Sequence, residues 1–469
     1  MHTEAPPGTD PTEPQTVEHA QGRGPQPALE AAAPNPLVHV SRDGGRRADR
    51  GALEEVPAAP PATLRQLWSL RDFRVFLVGE AVSATGDAVT LTALPLLVLA
   101  LTGSGLAMGV VGVLQMLPDL VFGLVAGALA DRWDRRRMML YADIGRAALT
   151  ALIPLSMLLG LPTMGVILLV TFPISTLRVV FMAAYTGAVP NLVGREQIGP
   201  ANSFMEAAFS FGFIIGPGAA GFLATLIGPG PTLAVDAASF LASAAAISAI
   251  SRSLRADRGE DDQRNLVHEV VEGIAFVARH QILRAAVAYW SWVSIATAAL
   301  IPAVTYYVTK DRGLPSTALG LVIAAEALGY FTGAIAGARV TKNVGIGRVL
   351  IAANIMTGLG IFAFGQLTDL PLLALVSFLA GASNALVLIG YITLRAMVTP
   401  DELLGRVGST ARMVSLGLQP IGMLVGGVLL DAAGGGVTLA AMGVATIAAS
   451  LVFSLSRTLR TAELQAVAV

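Results

Sequence analysis

Long apolar runs alternate with short polar segments through most of the chain. Twelve of these runs are about 18 to 28 residues long, the length that a helix needs to cross a bilayer. Backbone groups within lipid must find partners inside their own segment, so each run is predicted to be an α-helix. The predicted spans are residues 73–101, 105–130, 137–159, 163–187, 199–226, 231–251, 285–308, 316–338, 347–366, 371–394, 408–431 and 435–456. The pattern therefore predicts an all-α membrane protein with twelve transmembrane helices.

One long polar segment divides these spans into six and six. It covers residues 252–284, and its second half, from 267 to 278, has the periodicity of an amphipathic helix that lies along a membrane surface. We therefore expect an N-terminal bundle over 66–251, a cytoplasmic linker over 252–284 and a C-terminal bundle over 285–456.

Both ends of the chain are polar. Residues 1–65 are rich in Pro, Ala, Gly and charge, so they cannot bury enough apolar surface to fold, and we expect a disordered tail there. A second short tail covers residues 457–469.

The loops between spans alternate in charge along the chain. Those that follow even-numbered spans carry many arginines, whereas those that follow odd-numbered spans carry only Lys310 and Arg312. Because cationic loops stay in the cytoplasm, both tails are expected to be cytoplasmic.

Composition agrees with a membrane protein. The 469 residues are 54% hydrophobic and 13% charged, with a mean hydropathy of +0.67, whereas a soluble domain has about 25% charged residues. A net charge of -1 gives no electrostatic basis for a nucleic-acid partner. The chain has no cysteine, and its five histidines fall outside the apolar runs. We therefore expect no metal site, no cofactor and no catalytic constellation, which argues against an enzyme.

A charged hairpin joins the second and third predicted spans, and it resembles a signature of major facilitator superfamily transporters, G-x-x-x-D-R-x-x-R-R/K. The matching residues are Gly127, Asp131, Arg132, Arg135 and Arg136. The resemblance extends over about residues 66–456, and it is nearest to the branch of macrolide-efflux proteins and enterobactin-type (catecholate) siderophore exporters. It implies two six-helix bundles related by an axis along the membrane normal.

We expect the hairpin to act as a polar latch that holds the two bundles in one state. Gly127 lets another helix approach closely. Asp131 ends the second helix and can pair with Arg135 or cap a neighbouring helix, while Asp134 stands where many members of the superfamily have glycine. The alternative, in which these charges only fix topology, stays open.

The fifth span contains Gly212, Gly216, Pro217 and Gly221, a pattern similar to the motif of exporters that work as antiporters. Ala220 replaces the first glycine of the terminal pair. Proline bends a helix and glycines give it a bare face, so this span is expected to act as a hinge or a seal. Ordinary small-residue packing is the alternative.

Ionisable residues nearer the cytoplasmic ends of the predicted spans, Glu80, Asp143, Arg146 and Glu206, are expected to be structural. Four others lie deeper inside predicted spans, where a charge costs at least about 2.5 kcal/mol. They are Asp87, Asp119, Arg178 and Glu326. We expect these residues to couple transport to protons, with Arg178 paired to Asp87 or Asp119. The alternative is a static ion pair that fixes helix register.

The expected function is that of a secondary active transporter of the bacterial plasma (inner) membrane. The resemblance implies proton-coupled efflux of a hydrophobic or amphipathic small molecule, such as a drug, antibiotic, secondary metabolite or siderophore, by alternating access. The transporter is expected to be a monomer. A proton-coupled uptake symporter of the same fold and a transporter-like sensor or assembly protein are the alternatives. The chain has no phosphate-binding G-x-x-x-x-G-K-[ST] loop for ATP.

Overall fold

The computed structural model describes most of the chain. The described residues are 64–194, 197–252, 254 and 266–455. The expected C-terminal tail at 457–469, and the expected N-terminal tail up to residue 63, lie outside these ranges.

Helices account for nearly all of the described residues, and no strand occurs among them. They are α1 Leu64–Ser69, α2 Arg71–Thr102, α3 Gly105–Arg132, α4 Arg135–Leu158, α5 Thr163–Val193, α6 Ile198–Ile227, α7 Pro229–Ser248, α8 Leu266–Arg279, α9 Gln281–Thr297, α10 Leu300–Tyr306, α11 Ser316–Val344, α12 Ile346–Phe364, α13 Leu370–Met397 and α14 Leu404–Leu455. Helices α9 and α10 run on through a π-helical turn, Tyr307–Asp311, to form one apolar segment. In the described part of the chain, eleven segments are long and apolar enough to cross a membrane.

The last of these segments contains two crossings. Helix α14 has 52 residues and a length of about 78 Å, against about 30 Å for the hydrocarbon core of a bilayer. Its backbone breaks at Gly434, where φ is 79°, a left-handed value that glycine adopts without steric cost. The two halves match the predicted spans 408–431 and 435–456. The structure therefore has the twelve crossings that the sequence predicts.

The spans pack into two groups of six. In the first group α2 packs against α6 and α7, α4 against α5 and α7, and α3 against α5. In the second group α13 packs against α11 and α12, and α14 packs against α9 and α12. The main contacts between the groups join α3 to α14 and α6 to α11. This is the expected architecture of two six-helix bundles, and helix α8, in the linker, packs against α9 and α14 of the second bundle.

The two ends of the molecule differ in their loops and in how tightly the bundles meet. We call the end with loops 103–104, 228 and 365–369 the short-loop end, and the end with Trp133–Asp134 and residues 249–252 the arginine-rich end. The largest cluster of buried apolar side chains draws on both bundles through the short-loop halves of their helices. The other clusters each belong to one bundle or to the second bundle with α8. The apolar core is therefore continuous at one end and divided at the other.

Glycines along α3 show the same difference. A Cβ atom added at Gly105 would collide with the Cβ of Leu430, and one at Gly109 would lie 2.8 Å from the carbonyl oxygen of Met423. At Gly123 and Gly127, nearer the arginine-rich end, nothing lies within 4 Å of such an atom. Helices α3 and α14 therefore meet at the short-loop end and separate towards the arginine-rich end.

Candidate functional site

A cavity is made of three adjoining parts that share Leu91 of α2: two lie between the bundles, and the third lies within the first bundle. The largest part has a volume of about 740 Å³ and is bounded mainly by α5, α6 and α11. The others have volumes of about 310 Å³ and 410 Å³. The volumes fall in the range of small-molecule binding sites, about 300 to 1,000 Å³.

The largest part of the cavity combines aromatic and sulfur-containing side chains with two carboxylates. Its aromatic and methionine lining is Met182, Tyr185, Met205, Phe209, Phe213, Tyr330 and Phe331. The carboxylates are Glu206 of α6 and Glu326 of α11, and neither forms an ion pair with another described residue. Rings and methionines accept varied apolar shapes, and carboxylates attract a cation. The cavity is thus suited to an amphipathic molecule with a positive charge.

Sequence reasoning placed Glu326 among the functional residues and expected Glu206 to be structural, whereas the structure places both in the cavity wall. Glu206, Phe209 and Phe213 recur at intervals of three and four residues along α6, so they share one face of that helix. That spacing was available in the sequence. The sequence did not show how α6 is rotated about its axis, and it is this rotation that turns the face towards the cavity instead of the lipid.

Two ion pairs link spans of the first bundle. Arg178 of α5 pairs with Asp119 of α3, which is one of the two expected pairings. Asp87 of α2 pairs with Arg146 of α4, a partner that the sequence did not indicate. In both pairs the partners are 59 residues apart, and each pair joins a span to the second span after it.

The hairpin residues contact helix ends in this conformation. Arg135 donates to the carbonyl oxygens of Ala130, at the end of α3, and Gly187. Arg136 donates to carbonyl oxygens of Ile247 and Ser248, at the end of α7. These cations therefore stabilise the negative ends of two helix dipoles.

Other members of the hairpin face solvent or lie apart. Arg132 is exposed, and Gly127 lines a cleft with Arg412 of α14 without the close helix approach expected for it. The side chain of Asp131 lies outside the described part of the structure. Asp134 accepts a hydrogen bond from the backbone N–H of Arg137 at 3.2 Å, so the residue that departs from the superfamily pattern caps α4.

The glycines of α6 contact two different neighbours. A Cβ atom at Gly212 or Gly216 would lie 2.9 Å or closer to atoms of α2 in the same bundle. A Cβ atom at Gly221 would collide with the carbonyl oxygen of Ser316 in α11, and Gly320 faces Gly221. Buried Pro217 lies between these two regions. One half of the motif thus packs within the first bundle, and the other half closes the gap between bundles.

A polar clamp reinforces that closure at the short-loop end. Asp431 of α14 accepts hydrogen bonds from the N–H groups of Gly105 at 2.5 Å and Leu106 at 3.0 Å, and from the Ser104 hydroxyl at 2.6 Å. Lys310 donates to the carbonyl oxygen of Gly103 at 2.5 Å. A carboxylate of one bundle therefore caps the N-terminus of a helix in the other.

At the arginine-rich end the linker helix is tied to the second bundle. Glu272 of α8 pairs with Arg406 of α14 at 2.6 Å. A Cβ atom at Gly273 would lie 2.8 Å from the carbonyl oxygen of Arg406, so only glycine permits this approach. Among the described residues, no group of three or more His, Cys, Asp or Glu side chains could hold a metal ion.

Comparison with known proteins identifies the family. The family model described as transmembrane secretion effector matches residues 62–468. The multidrug efflux pump Tap of Mycolicibacterium fortuitum is 29% identical over 375 residues, which cover 77% of this chain and 89% of that protein. Macrolide efflux protein A of Streptococcus pyogenes is 25% identical over 391 residues, which cover 78% of this chain and 91% of that protein.

Solved transporters share the fold at low sequence identity. The nucleoside transporter NupG superposes with a TM-score of 0.70 at 12% identity, covering 82% of this chain and 98% of that chain. A bacterial homologue of the iron transporter ferroportin in an inward-facing state gives a TM-score of 0.66 at 14% identity, covering 82% of this chain and 98% of that chain. The chain belongs to the transmembrane secretion effector family of the major facilitator superfamily, and it is a membrane transporter, not an enzyme.

Proposed function

We propose that this transporter exports amphipathic, positively charged small molecules in exchange for protons. The observation that carries the proposal is the cavity of about 740 Å³, in which Glu206 and Glu326 face aromatic and methionine side chains. Its apolar wall accommodates varied molecules, and its carboxylates favour those that carry a cation. The export direction is supported by the names of its relatives, a multidrug efflux pump and a macrolide efflux protein.

The arginine-rich end is proposed to face the cytoplasm of a bacterial cell, with both termini on that side. With this orientation the conformation is inward-facing, because α3 and α14 meet at the short-loop end and part at the other. Substrate then enters from the cytoplasm and leaves after the short-loop end opens. The moving parts are proposed to be the bundles over residues 66–251 and 285–456, with 252–284 as the linker between them.

Proton coupling is assigned to Asp87, Asp119, Arg178 and Glu326. The two aspartates belong to ion pairs beside the cavity, and Glu326 lies in its wall. A carboxylate that takes up a proton gives up its arginine, so proton binding and helix packing are linked.

The hairpin and the α6 motif are proposed to hold alternative states. Gly127, Asp131, Arg132, Arg135 and Arg136 would close the arginine-rich end when the short-loop end opens. Gly212, Gly216, Pro217 and Gly221 would keep the short-loop end sealed while the cavity faces the cytoplasm.

The test uses purified full-length protein in liposomes. Ethidium serves as a cationic amphipathic probe and chloramphenicol as a neutral one. An acidic liposome interior should drive ethidium accumulation by antiport, and a protonophore should abolish it. Chloramphenicol should accumulate far less, since it offers no cation to Glu206 and Glu326.

Two outcomes would contradict the proposal. Accumulation driven by an acidic exterior instead of an acidic interior would establish uptake by symport. Ethidium exchange at equal rates with and without a gradient, and no accumulation, would establish transport without proton coupling.

A further inference from the structure

A second group of charged side chains lies deeper in the first bundle, away from the wall of the largest cavity. It contains Glu80 and Asp87 of α2, Asp143 and Arg146 of α4, and Asp236 of α7. Glu80, Asp143, Arg146 and Asp236 are 3%, 0%, 3% and 2% exposed. We propose that these five residues form a buried proton-binding site of the transporter, with Arg146 as the shared counter-ion.

The contacts around Arg146 bring the group together. Its guanidinium forms an ion pair with Asp87 and lies 3.7 Å from a carboxylate oxygen of Asp143. It also lies 3.8 Å from the centre of the Phe240 ring. Asp236 stands one helical turn before Phe240 on α7, so both residues face α2 and α4.

The remaining two carboxylates adjoin this centre. Asp236 accepts hydrogen bonds from the hydroxyls of Thr90 at 2.5 Å and Ser239 at 3.3 Å. Glu80 precedes Asp87 by two helical turns on the same face of α2, and both line the same part of the cavity as Arg146 and Asp236. A Cβ atom at Gly86 would lie 2.6 Å from Asp236, so glycine permits α7 to come this close.

Charge balance then requires protons. Four carboxylates lie together with one guanidinium, which leaves an excess of three negative charges if all of them ionise. Uncompensated buried charges are far too costly to keep, so a group of this kind retains protons in place of charges. The carboxylates share those protons as a coupled set.

Unused hydrogen-bonding atoms support the same conclusion. One oxygen of Glu80, both oxygens of Asp143 and the hydroxyl of Ser243 beside them are buried and have no hydrogen-bond partner. A buried acceptor without a donor is costly, and a bound proton turns a carboxylate oxygen into a donor. The Ser243 hydroxyl can donate to only one of these three carboxylate oxygens, so Glu80 and Asp143 still lack donors that bound protons would supply.

Neighbouring charged groups do not neutralise the excess. Arg178 of α5 is held by Asp119, and Glu206 of α6 adds a further negative charge near Tyr185. The cavity of about 410 Å³ adjoins the group, and there the Asp87 side chain is 36% exposed, so water has room to reach it. Asp87 is thus the point at which protons enter and leave.

The site gives proton antiport a physical location, and this inference rests on the proposed function. When Arg146 has one ionised partner, the other carboxylates keep their protons. If opening towards the other side hydrates the group, a further carboxylic O–H ionises, and its proton passes to water there. Each such release leaves a carboxylate that must be protonated again from the opposite side.

The experiment compares wild type with Glu80→Gln, Asp143→Asn and Asp236→Asn in liposomes. Asp369→Asn, at an exposed loop position, is the matched control. Ethidium exchange at equal pH on both sides reports transport, and accumulation driven by an acidic interior reports coupling. We expect the three variants to keep exchange and lose the gradient-driven accumulation, while the control keeps both.

A second measurement requires neither transport nor a substrate. Infrared spectra of the purified wild-type protein at neutral pH should contain a carbonyl band of protonated carboxylic acids. Difference spectra of wild type minus variant should show that this band is smaller in Glu80→Gln and Asp143→Asn. A missing band in wild type, or a band unchanged in all three variants, would overturn the site.

The transport outcomes separate this site from the proposed function. If wild type accumulates ethidium by antiport and all three variants do so equally, the site is wrong and antiport stands. If wild-type exchange does not respond to a pH gradient, proton antiport itself is wrong. Folded variants that lose exchange as well as accumulation would indicate a structural role only and overturn the site.

Discussion

Single side chains decide what the cavity accepts. Glu206 and Glu326 approach the same space from α6 and α11, which belong to different bundles. A cationic molecule between them is held by both bundles at once, whereas a neutral molecule is held by the apolar wall alone. Under the proposed function, selectivity for charge would therefore depend on these two residues and not on the fold.

Removing either charge should weaken the binding of cations selectively. For Glu326→Gln we expect ethidium to bind about tenfold more weakly, the effect of losing roughly 1.4 kcal/mol of charge-assisted interaction. The affinity of chloramphenicol should stay nearly unchanged, and Glu206→Gln should behave similarly. Fluorescence titration of ethidium against purified protein measures this. Equal weakening of both probes would indicate a collapsed cavity instead of a lost charge.

The Asp119–Arg178 pair offers a second test at this scale. Both side chains are partly exposed, at 34% and 40%, so solvent moderates the interaction. Asp119→Asn leaves an unpaired cation beside the cavity, and Arg178→Gln leaves an unpaired carboxylate. We expect the double variant to unfold at a higher temperature than the average of the two single variants, because neither charge is then left alone. Additive changes in melting temperature would show that the pair is not coupled.

At the scale of helices, the short-loop end is closed by backbone contact and by a cap. Asp431 satisfies the first N–H groups of α3, which a helix cannot satisfy internally. The sequence contains a counterpart at the other end of α3, where Asp131 is the next-to-last residue of the helix. Helix α3 and the first half of α14 run antiparallel, and each carries an aspartate near its C-terminal end.

Removal of the cap should favour opening at the short-loop end. Losing an N-cap costs about 1 kcal/mol, so Asp431→Ala should raise the open population roughly fivefold relative to the closed one. The chain has no cysteine, so spin labels can be attached to single cysteines introduced at chosen positions. Distances between labels at Thr102 and Ala433 should lengthen, and those between Arg137 and Glu402 should shorten. Unchanged distance distributions would contradict a role for the clamp.

The α6 motif can be tested with two nearby glycines. Gly221→Ala places a Cβ atom against the carbonyl oxygen of Ser316, whereas Gly218→Ala meets nothing within 4 Å. We expect Gly221→Ala to hold the short-loop end apart and make the liposomes leak protons. Gly218→Ala is the matched control and should behave as wild type. Similar leak rates for both variants would mean that the contact is not a seal.

The sequence predicted elements better than their mutual contacts. Lipid requires long apolar helices, so the pattern located all twelve crossings and placed the linker helix at 267–278, where the structure has Leu266–Arg279. It did not reveal the interruption between Thr297 and Leu300, because the apolar run continues through that break. Arg146 was missed as the partner of Asp87, since hydrophobic pattern does not determine how neighbouring helices are rotated.

At the scale of the molecule, the packing of the two bundles explains how opening at one end can exclude opening at the other end. The apolar core joins both bundles at the short-loop end and divides towards the arginine-rich end. Rocking of the bundles about the cavity would exchange these contacts for those of the hairpin. The proposed proton-binding site around Arg146 lies beside the cavity about which the bundles would rock. A change in hydration there would alter how many protons its carboxylates hold.

Proton release measured together with substrate entry tests the central claim most directly. Liposomes containing the wild-type protein, an acidic interior and an internal pH-sensitive dye would receive ethidium outside. Antiport predicts that the internal pH rises only when ethidium enters, and that Asp87→Asn abolishes this rise. Ethidium entry through wild-type protein without any change in internal pH would contradict proton-coupled export.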